Sequence, residues 1–347
     1  MSKQQKKVFV GISGGVDSSV SAHLLKKAGY EVHGVFIKTW APDWVPCTWV
    51  DEKRDAMRVC AALGIPFHFL DCEAEYKTAV ADHMIAEYRA GRTPNPDVLC
   101  NRIIKFGSFL QYALAQGADY IATGHYAQVK KEDGYQLLKG ADAAKDQSYF
   151  LWMLTQADLA HTLFPIGHLQ KSEVRRIAAK ANLFTAEKKD SQGICFLGEV
   201  DMKDFLRHYI TPRQGAVVDT SGNVIGTHDG VWFVTLGERH GFTVTVRADA
   251  GPYYVVKKDI DKNTITVASH YIPESELVSE IILKNINQII PWEAGKRYQA
   301  QLRYHGELVS CTISGEKIIF EKPVLATPAQ SLVLYDGNTC VGGGVII

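Results

Sequence analysis

The chain has no apolar run approaching the roughly 20 residues that cross a bilayer. Its first ten residues, MSKQQKKVFV, carry lysines but not the apolar core of a secretory leader. A soluble, cytoplasmic protein without membrane attachment is therefore expected. Neither sign of charge is in excess, with 38 Lys+Arg against 38 Asp+Glu. Any nucleic-acid partner must then be met by a local patch rather than by a polycationic surface. The seven cysteines (Cys47, Cys60, Cys72, Cys100, Cys195, Cys311 and Cys340) include no C-x-x-C pair, which argues against a zinc ribbon or an iron–sulfur cluster. Their odd number, in a chain read as cytoplasmic, argues against a disulfide framework. Most should be small buried hydrophobes.

The first part of the chain alternates. VFVGIS, EVHGVFIK, PFHFLD and YIATG read as strands. Between them, helical patterns over Asp17–Ala28, Asp51–Leu63, Glu73–Arg89 and Asn101–Gln116 stop at Gly29, Gly64, Gly91 and Gly117. Strand–helix units with short connections predict an α/β fold with a doubly wound, mostly parallel sheet, whose ligands bind at the carboxyl ends of the strands. Helical patterns continue over Asp146–Leu154, Ser172–Ala181 and Met202–Tyr209. Beyond Pro212 short β-rich runs broken by SGN, HDG and DKN turns take over. The expected organisation is a catalytic domain over 1–200, a small β-rich central domain over 201–275 and a C-terminal β-barrel over 276–347.

The stretch SGGVDSS, Ser13 to Ser19, follows the first strand and opens the first helix. Its glycines allow close backbone approach to an anion, its hydroxyls donate, and the helix N-terminus adds aligned N–H groups. No Walker lysine is present. Asp17 would repel bare phosphate, so it makes sense only facing a metal ion or capping the helix; a triphosphate with Mg²⁺ satisfies both conditions. Between Lys171 and Lys189 six basic residues stand against Glu173 and Glu187, a run that on its own reads as a solvated helix face.

Two cysteines stand out by context. Cys100, in GRTPNPDVLCNRIIKF, follows Pro94 and Pro96 and precedes a helix, with Arg102 and Lys105 beside it, a setting that stabilises a thiolate. Cys195, in DSQGICFLGE, comes soon after Lys188 and Lys189, and the flanking Gly193 and Gly198 predict a bent segment. On physics alone, a buried inert thiol remains open for either.

SGGVDSS is the signature of the PP-loop ATP pyrophosphatases, which grip the β,γ-pyrophosphate and transfer AMP to a substrate oxygen. Taken with TPNPDVLCN, TGHYA, KDQSYFL, FPIGHLQKSEVRRIA and DSQGICF, in that order along nearly the whole chain, the sequence resembles the bacterial tRNA-specific 2-thiouridylases. The resemblance implies ATP-dependent replacement of the 2-oxygen of the wobble uridine by sulfur in tRNAs for Lys, Glu and Gln. It implies Cys195 as the persulfide carrier, Cys100 as partner nucleophile forming a Cys100–Cys195 disulfide in turnover, and Asp97 as general acid/base. ATP, with Mg²⁺, would be held by Gly11, Ile12, Ser13, Gly14, Gly15, Val16, Asp17, Ser18, Ile37 and Gly124. Asn95, Pro96 and Asp97 would meet the target base. His125, Lys145, Asp146, Gln147, Gln330 and the pair Arg303–Tyr304, expected on a strand of the barrel, would contact the tRNA around its anticodon stem-loop. A sulfur donor such as a cysteine desulfurase or a relay protein is implied as a partner.

Two other classes remain open: a PP-loop synthetase acting on a small molecule, which would not need the two cysteines, and a tRNA-binding protein without catalysis. A cluster-dependent thiolase is disfavoured by the missing C-x-x-C. The chain departs from the family pattern at Ile37, where Met is usual, and at GERHGF and GPYYV in the central domain; neither change touches the catalytic set.

Overall fold

In a computed structural model, which describes residues 5–45, 49–189, 200–246, 252–269 and 272–347, the alternating first part forms a parallel sheet of five strands. These are β1 (Lys7–Gly11), β2 (Glu31–Lys38), β3 (Phe67–Asp71), β4 (Tyr120–Ala122) and the two-residue Thr162–Leu163, in the order β3-β2-β1-β4 and then Thr162–Leu163. Strand periodicity divides the core between the two faces. Phe9, Val35, Ile37 and Ile121 pack with Tyr76, Ile104, Phe106 and Phe109 from the helical segments of residues 73–115. Val8, Val10, Val32, Phe36 and Ala122 pack with Val20 and Leu25 of α1 (Val16–Lys27), Val59 and Leu63 of α2 (Trp49–Leu63), and Val174 and Ala178 of the helix Lys171–Lys180. Helices on both faces make the sheet doubly wound, as expected.

Between Ala122 and Thr162 the chain leaves the sheet as a hairpin, β5 (Ala127–Glu132) and β6 (Gly134–Lys139). The charge-rich QVKKEDGYQLLK does not announce it. Its partner is remote: Leu137 and Leu138 of β6 pair with Cys340 and Thr339 of the last strand. That last strand closes an antiparallel six-strand barrel made by Val278–Gln288, Arg297–Gln301, Leu308–Ser314, Lys317–Val324, Ser331–Asp336 and Thr339–Ile346. Catalytic domain and barrel consequently share one core, in which Ile289, Val333, Tyr335 and Cys340 of the barrel pack with Leu137, Tyr149 and the fully buried Trp152.

The central unit is a five-stranded mixed sheet (Gly215–Val218, Val224–His228, Phe242–Val244, Tyr253–Asp259 and Thr264–Ser269). It reaches the catalytic domain where Phe205, Leu206 and Phe233 meet Met84, Ile85 and Tyr88.

Three local expectations are corrected. The helix bearing Cys100 starts at Pro96, not Asn101: Asn95 caps it, its Oδ1 accepting from the Val98 N–H, and Pro96 fills the first position. Cys100 is therefore inside the helix rather than ahead of it. Asp146–Leu154 is not an α-helix, and only Ser148–Leu151 forms a 3₁₀ turn. The Asp146 carboxylate accepts from the Gly140 and Ser148 N–H groups, so side chain–backbone bonds replace helical ones. Arg303 and Tyr304 lie in the loop after Arg297–Gln301, not on a strand. Among the described residues no helix is long and apolar enough to cross a membrane.

Candidate active site

The SGGVDSS loop leaves β1 at its carboxyl end. Gly14 has φ +75°, a left-handed backbone that favours glycine, and a Cβ there would meet the Asp55 Cβ at 2.9 Å and the Glu52 carbonyl at 3.2 Å. The loop thus lies flat against α2. Gly15 precedes α1 without a side-chain cap, leaving the first N–H groups of the helix directed to whatever occupies the loop. The Ser18 and Ser19 hydroxyls donate to the Gly15 carbonyl at 3.2 and 2.7 Å, and the Ser13 N–H donates to Ser18 Oγ at 3.3 Å. Gly124 seals the other side: a Cβ there would come within 2.8 Å of the Ser18 nitrogen and 3.0 Å of the Asp17 Cβ. Ile12, Val16 and Ile37 are buried beneath, with the Ile37 side chain beside Gly11.

Asp17 does not cap α1. Its carboxylate receives Lys171 Nζ at 2.8 Å on both oxygens and the Tyr126 hydroxyl at 2.9 Å. The lysine that the loop lacks is supplied at its edge by another helix. Tyr126 continues the chain of contacts, because its N–H donates to Gln147 Oε1 at 3.0 Å and its carbonyl accepts from the Gln147 N–H at 2.9 Å. Lys171 was read only as part of a basic stretch. That stretch is largely committed to the protein itself: Lys188 pairs with Asp55 at 2.7 Å, and Arg175 donates to the carbonyls of Ala186 and Lys188.

His125 is buried between Phe106 and Phe164. Nδ1 lies 2.7 Å from Thr123 Oγ1, and Nε2 faces Lys105 Nζ at 3.4 Å. An ammonium can only donate, so Nε2 is the acceptor and Nδ1 carries the proton. Burial, with Lys105 adding to it, holds the imidazole well below the usual histidine range and hence neutral.

The second half of the site is a cleft of about 430 Å³ bounded by Asn95, Pro96, Asp97, Phe150, Met202 and Gln330. Asp97 is in the first turn of the helix capped by Asn95. Behind it Cys100 is fully buried. Arg102, expected to support its thiolate, instead pairs with Asp158 at 2.9 Å. The barrel supplies the opposite wall. Gln330 Nε2 donates to the carbonyls of Thr93 and Pro94, and Tyr304 rests on Phe150 with ring centroids 4.4 Å apart. Burial, with Asp146 and Asp97 nearby, pushes the Tyr304 hydroxyl above the usual tyrosine range. Arg303 is exposed and Lys145 is half-buried.

The structure thus brings Asn95–Asp97 and Gln330 to one cleft, with Tyr304 stacked on the Phe150 that lines it. It links the loop residues to Gln147 through Tyr126. Cys195 lies outside the described residues, so its expected pairing with Cys100 has no geometry here. Sequence reasoning missed Tyr126 and Lys171, although both fall in motifs it singled out, TGHYA and FPIGHLQKSEVRRIA.

Comparison with known proteins matches three family profiles in series. They are described as tRNA methyl transferase HUP domain over residues 6–199, tRNA methyl transferase PRC-barrel domain over 203–269 and aminomethyltransferase beta-barrel domain over 278–346. The chain is 46% identical to tRNA-specific 2-thiouridylase MnmA 2 of Geobacillus kaustophilus (strain HTA426), covering 99% of this chain and 95% of the relative. It is 47% identical to tRNA-specific 2-thiouridylase MnmA of Pseudomonas fluorescens (strain Pf0-1), with coverage of 99% and 95%. It is 49% identical to tRNA-specific 2-thiouridylase MnmA of Xanthomonas axonopodis pv. citri (strain 306), with coverage of 98% and 93%.

Proposed function

The chain belongs to the tRNA-specific 2-thiouridylase (MnmA) family, and from that premise we propose that it thiolates the wobble uridine of tRNAs for Lys, Glu and Gln at the 2-position, consuming ATP. The observation that carries this reading is a chain of hydrogen bonds that runs from Asp17 of the phosphate-type loop through Tyr126 and Gln147 to Phe150, which lines the same cleft as Asp97. The profile descriptions speak of methyl transfer, but a helix N-terminus and loop shaped for a polyphosphate suit a pyrophosphate leaving group, which methyl transfer does not need. Thiolation is also what the names of the relatives state.

A carbonyl oxygen of uracil is a poor leaving group. In the proposed sequence the uridine O2 attacks the α-phosphorus of ATP and expels pyrophosphate, which makes AMP the new leaving group. Gly11–Ser18 and the α1 N-terminus hold the β,γ-phosphates, Gly124 and Ile37 border the nucleotide, and Lys171 offers positive charge beside Asp17. Mg²⁺ would enter with the nucleotide. The terminal sulfur of a Cys195 persulfide then adds to C2 as AMP departs. Cys100 attacks the Cys195 sulfur, forming the Cys100–Cys195 disulfide and releasing the 2-thiouridine; an external thiol restores both cysteines. Asp97 moves the proton at the base.

The anticodon loop is where protein can reach splayed bases, and stacking on aromatic side chains is the usual means. Tyr304 on Phe150, with Arg303 at the rim, supports that role. Asn95 and Pro96, which line the cleft, would meet the base, and Lys145, Asp146, Gln147 and His125 would contact the tRNA. A cytoplasmic setting and a protein sulfur donor complete the proposal, as do the three-domain boundaries 1–200, 201–275 and 276–347. The test is mass spectrometry of nucleosides from unmodified tRNA-Glu incubated with the protein, Mg-ATP and a persulfide source. 2-Thiouridine is expected with the wild type and none with Cys195→Ala; its absence in both with a competent donor present overturns the proposal.

A further inference from the structure

Gln330 belongs to the barrel, yet both hydrogens of its amide go to the catalytic domain. Nε2 donates to the Thr93 carbonyl at 2.7 Å and to the Pro94 carbonyl at 3.2 Å. Because both partners are acceptors, the NH₂ end must face them, and Oε1 is turned away. The segment that aims Gln330 is itself held: its N–H donates to the Thr327 carbonyl at 3.2 Å, and the Ala329 N–H donates to the Ile346 carbonyl at 2.9 Å. Ala329 has φ +70°, a left-handed conformation unfavourable for alanine. Such strain persists only where the surrounding structure over-determines it.

The clamped residues stand immediately before the catalytic loop. Thr93 is gripped twice more, by an N–H bond to the Pro328 carbonyl at 3.4 Å and by Thr235 Oγ1 of the central unit, 3.3 Å from its own Oγ1. From there the chain is stiff. Pro94 and Pro96 have fixed φ, and Asn95 between them caps the helix that carries Asp97 and Cys100. With φ fixed at Pro94 and Pro96, few torsions are left to absorb a shift at Thr93–Pro94 before Asp97.

We propose that Gln330 is a positioning residue: its amide, acting beside the Thr93–Pro328 backbone bond, is the side-chain clamp by which the barrel sets Asp97 in the cleft and Cys100 behind it. This goes beyond a tRNA contact. With both N–H groups spent, only Oε1 can meet RNA, so a contact made there would be transmitted to the loop that performs the chemistry. The activity arm of the test rests on the 2-thiouridylase reading; the exchange arm does not.

Gln330→Glu separates the two roles, because it keeps size and an outward acceptor but replaces the donor by oxygen facing two carbonyls. Gln330→Ala removes both. Hydrogen exchange of the full chain should be faster in a peptide covering 91–98 in both variants and unchanged elsewhere. Single-turnover 2-thiouridine formation at saturating tRNA should fall roughly tenfold or more in both variants, with little change in Mg-ATP affinity in either, and with tRNA affinity lowered more by Gln330→Ala than by Gln330→Glu. Wild-type exchange over 91–98, or a loss confined to tRNA affinity in Gln330→Ala with Gln330→Glu near wild type, overturns the proposal. If the wild type itself makes no 2-thiouridine, the functional reading fails, and the exchange result still decides the role of Gln330.

Discussion

Lys171 Nζ sits 2.8 Å from each oxygen of the Asp17 carboxylate, although the two residues are 154 positions apart. The pair joins the first turn of α1 to the first turn of the helix Lys171–Lys180. It therefore holds a cation at the mouth of a loop that carries none of its own. A phosphate ligand would meet Lys171 rather than the Asp17 charge that Lys171 already neutralises.

Lys171→Met should consequently do more than remove an ion pair. It strips positive charge from the nucleotide loop and, among the described residues, leaves the Asp17 carboxylate to the Tyr126 hydroxyl. tRNA-dependent pyrophosphate release is expected to drop by roughly 10²-fold, the order typical of losing one electrostatic contact to a transition state. tRNA binding should be retained. Tyr126→Phe, which deletes a single hydrogen bond, should cost only about 1 kcal/mol. A Lys171→Met rate within a few-fold of wild type would remove Lys171 from the site.

Gly124→Ala tests the seal of the loop. The new methyl would press on the Ser18 nitrogen and on Asp17, which are backbone and first-turn atoms that cannot swing aside. Overpacking of this kind costs about 1–3 kcal/mol, here levied on the position of the α1 N-terminus. Mg-ATP affinity, read by calorimetry, should weaken roughly tenfold or more with the urea midpoint only modestly lowered. Unchanged affinity would mean that the nucleotide does not use this end of α1.

These two sites also show what the sequence made legible. SGGVDSS and the parallel strands could be read because strand, turn and helix are contiguous, and local chemistry declares them. Lys171 and Tyr126 reach the site through tertiary packing, which no local pattern encodes, and Gln330 is legible only through the family resemblance, without its bonds to Thr93 and Pro94. The β5–β6 hairpin is not legible in the sequence because its stabilising partner is the last strand and charged residues interrupt its few apolar ones. Asp146–Leu154 looked helical, yet Asp146 and Ser148 bind backbone and Tyr335 instead. Asn95 and Pro96 are a local helix-start signal, an Asn cap followed by Pro at the first position, and so are legible in the sequence.

His125 predicts an acid limit. Its folded pKa is depressed, mainly by burial, so the unfolded chain takes up a proton near the ordinary value of about 6.5 while the folded chain does not. The contribution is complete above that pH and is lost as pH falls below it toward the folded value. Each such histidine steepens the loss by up to about 1.4 kcal/mol per pH unit, and His68 and His228, lowered mainly by burial, act in the same direction. Urea midpoints measured from pH 7.5 to 5.5 should decline, and less steeply for His125→Gln. Parallel declines in wild type and variant would show that His125 takes up its proton in the folded state.

The two cysteines should fail differently. Cys100 is fully buried behind the Asn95-capped helix turn, so alkylation by iodoacetamide should be far slower in the native protein than in urea. Cys195→Ala removes the proposed carrier, so no protein-bound sulfur and no 2-thiouridine are expected, while tRNA and Mg-ATP still bind. Cys100→Ser leaves the carrier intact. Incubated with a persulfide source, it should gain one sulfur by intact-protein mass spectrometry and, with tRNA and ATP, stall as a covalent protein–tRNA adduct, because nothing attacks the Cys195 sulfur to release the product. That adduct should be cleaved by added thiol. Wild-type turnover by Cys100→Ser would show that external thiol alone releases the sulfur and that the buried thiol serves only packing.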